Sequence, residues 1–165
     1  MNILAIDPGN IESAYCVIDA ETYKPILFEK AENDKVMSVL SGQVFSGNIG
    51  KVPIEMIAHY GCGMPAGKSV FDTCVWIGRY MQQVETINRN ITQLIYRSDE
   101  KMVICGTMKA KDSNIIQALV DRFAPNEPNR GKGTKKNPGW FYGFKADIWQ
   151  AYAVGVAYLD MEAGR

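Results

Sequence analysis

At 165 residues, with 47% hydrophobic and 22% charged residues, the chain is long enough for one domain with a real core and too apolar to be disordered. Eighteen basic and eighteen acidic residues cancel to a formal net charge of zero, which rules out a uniformly basic protein but leaves room for a locally basic face. Residues 109 to 145 hold eight basic side chains (Lys109, Lys111, Arg122, Arg130, Lys132, Lys135, Lys136, Lys145) and three acids (Asp112, Asp121, Glu127), a balance of +5 against −5 elsewhere.

Residues 2 to 7 are a short apolar run closed by Asp7-Pro8-Gly9-Asn10, strong turn chemistry after a strand. Ser13 to Asp19 and Pro25 to Glu29 are two further strand candidates, so the first thirty residues read as an antiparallel meander. Asn33 to Leu40 has Val36, Val39 and Leu40 at helical spacing, and Val52 to Ala58 is an apolar run broken by Glu55. After the loop Gly61 to Gly67, Phe71, Cys74, Val75, Gly78, Met81 and Val84 recur at three and four residues and predict an amphipathic helix. On that phase Trp76, Ile77 and Tyr80 lie beyond the stripe and offer a dimer surface.

Ile91 to Tyr96 reads as a strand, Ser98 to Cys105 as either helix or strand, and Ser113 to Phe123 as a helix. Residues 124 to 143 contain three prolines and four glycines without apolar periodicity, which predicts a mobile loop. Asp147 to Leu159 closes the chain as a helix whose Ala151 and Gly155 permit close packing. The order of elements predicts one α/β domain over 1–165, a mixed sheet flanked by helices. No apolar run is long enough for a membrane span, and the start lacks an export signal, so a cytoplasmic protein is expected. Cys16, Cys62, Cys74 and Cys105 form no CxxC pair and His59 stands alone, which favours reduced thiols over a zinc site.

Three acids fit their surroundings poorly. Asp7 ends a strand, where the ordinary role is an Asx-turn. Glu55 lies within an apolar run, costly to bury unless paired, protonated or metal-bound, though it could face outward from a half-exposed strand. Asp147 precedes an apolar helix and could be its N-cap. Taken together, carboxylates from separate elements at one end of a sheet make an oxygen-rich site for Mg²⁺ or Mn²⁺, able to polarise a phosphodiester and activate water.

Ile3-Leu4-Ala5-Ile6-Asp7-Pro8-Gly9 with Ser13, then Ile54-Glu55, then Gly106 with Ala110-Lys111-Asp112-Ser113, then Ala146-Asp147 with Ala151, Ala153 and Ala157 resemble, in order, the motifs of RuvC-type Holliday-junction resolvases. These belong to the ribonuclease H-like superfamily, and the chain looks closest to its short phage and prophage members. The resemblance implies a ribonuclease H-like five-stranded mixed sheet flanked by helices. It also implies Asp7, Glu55 and Asp147 as catalytic metal ligands for Mg²⁺ or Mn²⁺, two ions per site, in a homodimeric crossover-junction endodeoxyribonuclease of a bacterial or phage-infected cell. Two-fold symmetry would match that of a four-way DNA junction. Where the family has a further acid three residues after Asp147, this chain has Gln150, a neutral oxygen donor. Asp72, Asp112 or His59 could compensate, and a junction-binding protein with weak cleavage is the alternative. An ATPase reading of the Asp-Pro-Gly turn needs two such domains, and the chain supplies one.

Lys101 and Lys111 fall near positions where the family carries phosphate-approaching lysines, and Lys109 belongs to the same basic segment. Arg130, Lys132, Lys135 and Lys136 precede Trp140-Phe141-Tyr142, a set that either packs its aromatics on the body or orders on DNA with one ring on an unpaired base. Phe71 is a second candidate wedge, although its helical spacing also suits a core residue.

Overall fold

The computed structural model describes residues 1–58 and 67–164. Five strands, β1 (Asn2–Asp7), β2 (Glu12–Asp19), β3 (Pro25–Glu32), β4 (Ile49–Met56) and β5 (Thr92–Tyr96), form one sheet in the order β3-β2-β1-β4-β5. β1, β2 and β3 pair antiparallel, whereas β4 joins β1 and β5 joins β4 in parallel. The helices are α1 (Asn33–Phe45), α2 (Lys68–Ile87), α3 (Arg97–Cys105), α4 (Asp112–Phe123), the short turn α5 (Pro128–Gly131) and α6 (Ile148–Glu162). Among the described residues, no helix is long and apolar enough to cross a membrane.

β1 is central and covered on both faces, which is why Ile3 to Ile6 are continuously apolar instead of alternating. Ile3, Ala5, Ala14, Cys16 and Ile18 face α6, and Leu4, Ile6, Tyr15 and Val17 face the layer of α1 and α2. The helix α6 is buried nearly all round because it lies directly on the sheet. A Cβ at Gly155 would stand 2.3 Å from Cδ1 of Ile18 and 3.1 Å from Cβ of Ala5. Gly155→Val should therefore lower stability by about 1–3 kcal/mol in urea unfolding, despite its removal of a helical glycine.

The turn after β1 is held by a buried polar network. Gly9 N–H donates to Ser13 Oγ at 3.1 Å, Ser13 donates to Asn33 Oδ1 at 2.6 Å, and Asn33 Nδ2 returns to the Gly9 carbonyl at 3.0 Å. The hydroxyl of Tyr80, on α2, closes the set at 3.2 Å from Ser13 Oγ. Glycine is required at position 9 because a Cβ there would meet the Glu12 carbonyl at 2.2 Å.

Two expectations need correction. The buried stripe of α2 is Thr73, Ile77, Tyr80 and Val84, while Phe71 and Val75 are 61% and 60% exposed. The helix has apolar residues on two faces. The one that turns inward carries hydroxyls that find partners, Tyr80 in the buried network above and Thr73 on the Ser69 carbonyl one turn back at 2.8 Å, so apolar periodicity selects the wrong phase. Ile77 and Tyr80 are thus core and unavailable to a dimer surface, and Phe71 is no core residue.

Segment 124–143, expected as a mobile loop, is anchored to the body. Gly133 and Pro138 form an antiparallel bridge. Phe141 is fully buried against Phe144, Trp149 and Tyr152. Trp140 stacks on Phe123 at 5.5 Å and donates to the Tyr152 hydroxyl at 3.2 Å. Of the three adjacent aromatics only Tyr142 is exposed. The anchors Phe123, Trp149 and Tyr152 belong to α4 and α6, outside the segment, so its own sequence carries no apolar period that announces them. Ser98 to Cys105 resolves as α3, and Cys16, Cys74 and Cys105 are free thiols. His59, Cys62 and most of the Gly61 to Gly67 loop lie outside the described residues.

Candidate active site

Parallel pairing sets Ile6 beside Ile54, so the next residues, Asp7 and Glu55, leave the ends of β1 and β4 side by side on the face covered by α6. Their carboxyl groups are half-buried and hydrogen-bonded to each other. Burial first, then the charge of Glu55 and the bond to it, then Asp147 and Glu100, push the Asp7 carboxyl up to about 9. Burial also raises Glu55, against the attraction of Arg97 and the bond from Asp7. Burial and mutual repulsion thus both oppose ionisation of the two neighbouring carboxyls.

Asp147 stands at the start of α6 but makes no capping hydrogen bond with its side chain. Its Oδ2 is 2.7 Å from Nζ of Lys30, on β3. One turn later the Oε1 of Gln150 is enclosed without a hydrogen-bond partner among the described residues. The charge of Asp147 contributes to the rise at Asp7, but of the three expected ligands only Asp7 and Glu55 are in contact, and Asp147 is tied to Lys30. Among the described residues, no group of three or more His, Cys, Asp or Glu is arranged to hold a metal ion.

Glu100, on α3, is a fourth acid that the sequence did not announce. It is completely buried, and burial followed by the charge of Glu55 raises its pKa. Arg97 pairs with one carboxylate oxygen of Glu100 and with Asp112, while Glu100 Oε1 has no hydrogen-bond partner among the described residues. Asp112 is thus engaged by Arg97 and raises Glu55 only through its charge. Asp72 belongs to α2, which packs on the opposite face of the sheet. The signal for Glu100 was its spacing of three from Arg97, visible only once the segment is known to be a helix. Arg97→Met should cost about 2 kcal/mol of stability, read by denaturant unfolding, since it leaves a buried carboxyl unpaired and Glu100 can offset part of the loss by protonation.

Compared with solved structures, the chain aligns with RuvC from Thermus thermophilus over 99% of its own length and 97% of that chain, at a TM-score of 0.67 and 13% identity. T. thermophilus RuvC in complex with Holliday junction substrate aligns over 99% and 96%, at a TM-score of 0.62 and 10% identity. The fold is that of RuvC. No protein-family model matches the chain, and no curated protein matches it in sequence.

On this RuvC-like fold the expected DNA-contacting cations spread along one part of the chain. Lys109 and Lys111 are exposed in the segment between α3 and α4, and Lys101 is half-buried on α3. Arg130, Lys135 and Lys136 are exposed and Lys132 is half-buried, all on the anchored segment that leads towards Asp147. Phe71 is exposed near the start of α2, and the exposed Val75 lines a groove of about 400 Å³ with Met37, Gly78, Arg79, Gln82 and Gln83.

Proposed function

We propose that the protein is a divalent-metal-dependent endonuclease that cuts branched DNA, with the four-way junction as preferred substrate, and that it acts as a homodimer. The observation that carries this reading is the half-buried Asp7–Glu55 pair, two neighbouring carboxyls from adjacent parallel strands at one end of a RuvC-like sheet. The donors fit a hard cation. All are oxygens, and a divalent ion between Asp7 and Glu55 would relieve the repulsion that opposes their ionisation. Asp7 and Glu55 are the residues that would hold it. When bound, such an ion supplies Lewis-acid polarisation of a phosphodiester and a lowered pKa for water.

The chain's own residues supply the rest. Gly9, Ser13 and Asn33 fix the turn that aims Asp7. Arg97 holds Glu100 and Asp112 and draws on Glu55, so α3 supports the pair from the β5 side. Lys101, Lys109, Lys111, Arg130, Lys132, Lys135 and Lys136 are the cations to neutralise backbone phosphates, and Tyr142 replaces Trp140 and Phe141 as the ring free to stack on a base. Phe71, exposed at the start of α2, keeps its candidacy as a wedge, and the groove beside Val75 replaces Trp76, Ile77 and Tyr80 as the candidate dimer surface. Incubation of the purified protein with a synthetic four-way junction and Mg²⁺ or Mn²⁺ tests the reading. Paired nicks are expected, and an intact junction would overturn it.

One observation favours a second reading, a junction-binding protein with little cleavage. Asp147 is neutralised by Lys30, and Gln150 brings no charge. Binding in gel shift without cleavage under any divalent ion, with activity gained on Gln150→Asp, would select it.

A further inference from the structure

Antiparallel register places Asp7 opposite Ala14, and Ala14 opposite Lys30. Directly opposed residues share a face of the sheet, so Asp7, Ala14 and Lys30 form one row across β1, β2 and β3, on the side that α6 covers. Lys30 extends past the small Ala14 to meet Asp147 at 2.7 Å, and also lies 3.6 Å from Glu12. An aspartate at a helix start ordinarily accepts a backbone N–H; this one does not. Its charge is answered by an ammonium borne on a strand two removed from that of Asp7.

We propose that Lys30 is a built-in cation of the site, a positioning residue that holds Asp147 and limits the site to one divalent ion, at the Asp7–Glu55 pair. This rests on the nuclease reading above and sharpens it, since the sequence resemblance alone implies two ions. The physical case is charge balance. One ion satisfies Asp7 and Glu55, Lys30 satisfies Asp147, and a second divalent ion beside Asp147 would have to displace or sit against the ammonium at close range. Gln150, whose enclosed oxygen is neutral, adds no charge to attract that second ion.

The test counts ions on the full chain without DNA, by calorimetric titration with Mn²⁺ and by the paramagnetic resonance signal of free Mn²⁺. The parent should bind one Mn²⁺ per chain. Lys30→Gln should bind a second, with an affinity at least about tenfold above any second-site binding by the parent, whereas Lys30→Arg, which keeps the charge, should still bind one. Asp147→Asn in the parent should leave the single ion's affinity within about threefold, because Asp147 is engaged elsewhere. Thermal melts confirm that each variant is folded, and this last variant tests the idea even if Lys30→Gln is not. Two ions on the parent, or an unchanged count on folded Lys30→Gln, would overturn this inference alone. No Mn²⁺ on the parent would overturn the metal reading and this inference with it.

Discussion

Asp7→Asn is expected to lower four-way-junction cleavage by about 10³-fold while making the metal-free protein more stable at about pH 8. The two effects share one cause. Asp7 is held against Glu55 in a half-buried site where burial and the neighbouring charge both oppose its ionisation. An amide of the same shape carries no charge and can still donate to Glu55, so the cost of taking up a proton on folding disappears together with the capacity to hold a cation. A stability gain of about 1 kcal/mol is expected, which is about 3 °C in Tm for a domain of this size. Paired melts in EDTA and cleavage time courses check both halves. A variant that lost stability would mean that Asp7 serves chiefly as a turn residue, a role that the structure gives to Ser13 and Asn33. A variant that cut as well as the parent would remove Asp7 from the chemistry.

The metal-free protein should lose stability as pH rises, in contrast to the acid loss typical of proteins held by salt bridges. The Asp7 carboxyl binds its proton more tightly in the folded chain, with a pKa near 9, than in the unfolded chain, where the ordinary value of 3.8 applies. Between these two values the folded state carries more protons than the unfolded state, so its stability is greatest below the lower value and declines as pH climbs through the higher. Glu55 and Glu100, both raised by burial, act in the same direction. In EDTA, Tm should fall by several degrees, roughly 5 °C, between about pH 5 and about pH 8. A divalent ion that replaces the proton should reverse this, so Mg²⁺ should raise Tm more at about pH 8 than at about pH 5. Equal Mg²⁺ effects at both pH values would argue against a cation at the pair.

The strands were legible in the sequence, and the three acids stood out there because each has a local signature. β1 ends in Asp-Pro-Gly, Glu55 interrupts an apolar run, and Asp147 opens an apolar helix. What was not legible depends on register and helix phase. Lys30 enters the site only because three strands align Asp7, Ala14 and Lys30, and nothing near Lys30 in sequence marks it. Glu100 sits in a charged stretch that looks solvated until α3 turns it inward onto Arg97. Phe71 and Tyr80 exchanged roles because a tyrosine with an internal partner is as good a core residue as a phenylalanine. Trp140 and Phe141 were invisible as core because their contacts, Phe123, Trp149 and Tyr152, come from helices before and after the segment.

Zero net charge takes on a specific meaning in this structure. A basic stretch that leads to the site balances an acidic remainder to which Asp7, Glu55 and Glu100 all belong. Binding to DNA should then rest on local fit and phosphate contacts, and weaken steeply with salt.

The most direct test of the account is a crystal soaked in Mn²⁺ and measured for anomalous scattering. A peak bonded to oxygens of both Asp7 and Glu55, at about 2.1 Å, with their mutual hydrogen bond broken, is the result predicted. Two carboxyls still hydrogen-bonded to each other, with no anomalous density beside them at saturating Mn²⁺, would contradict it.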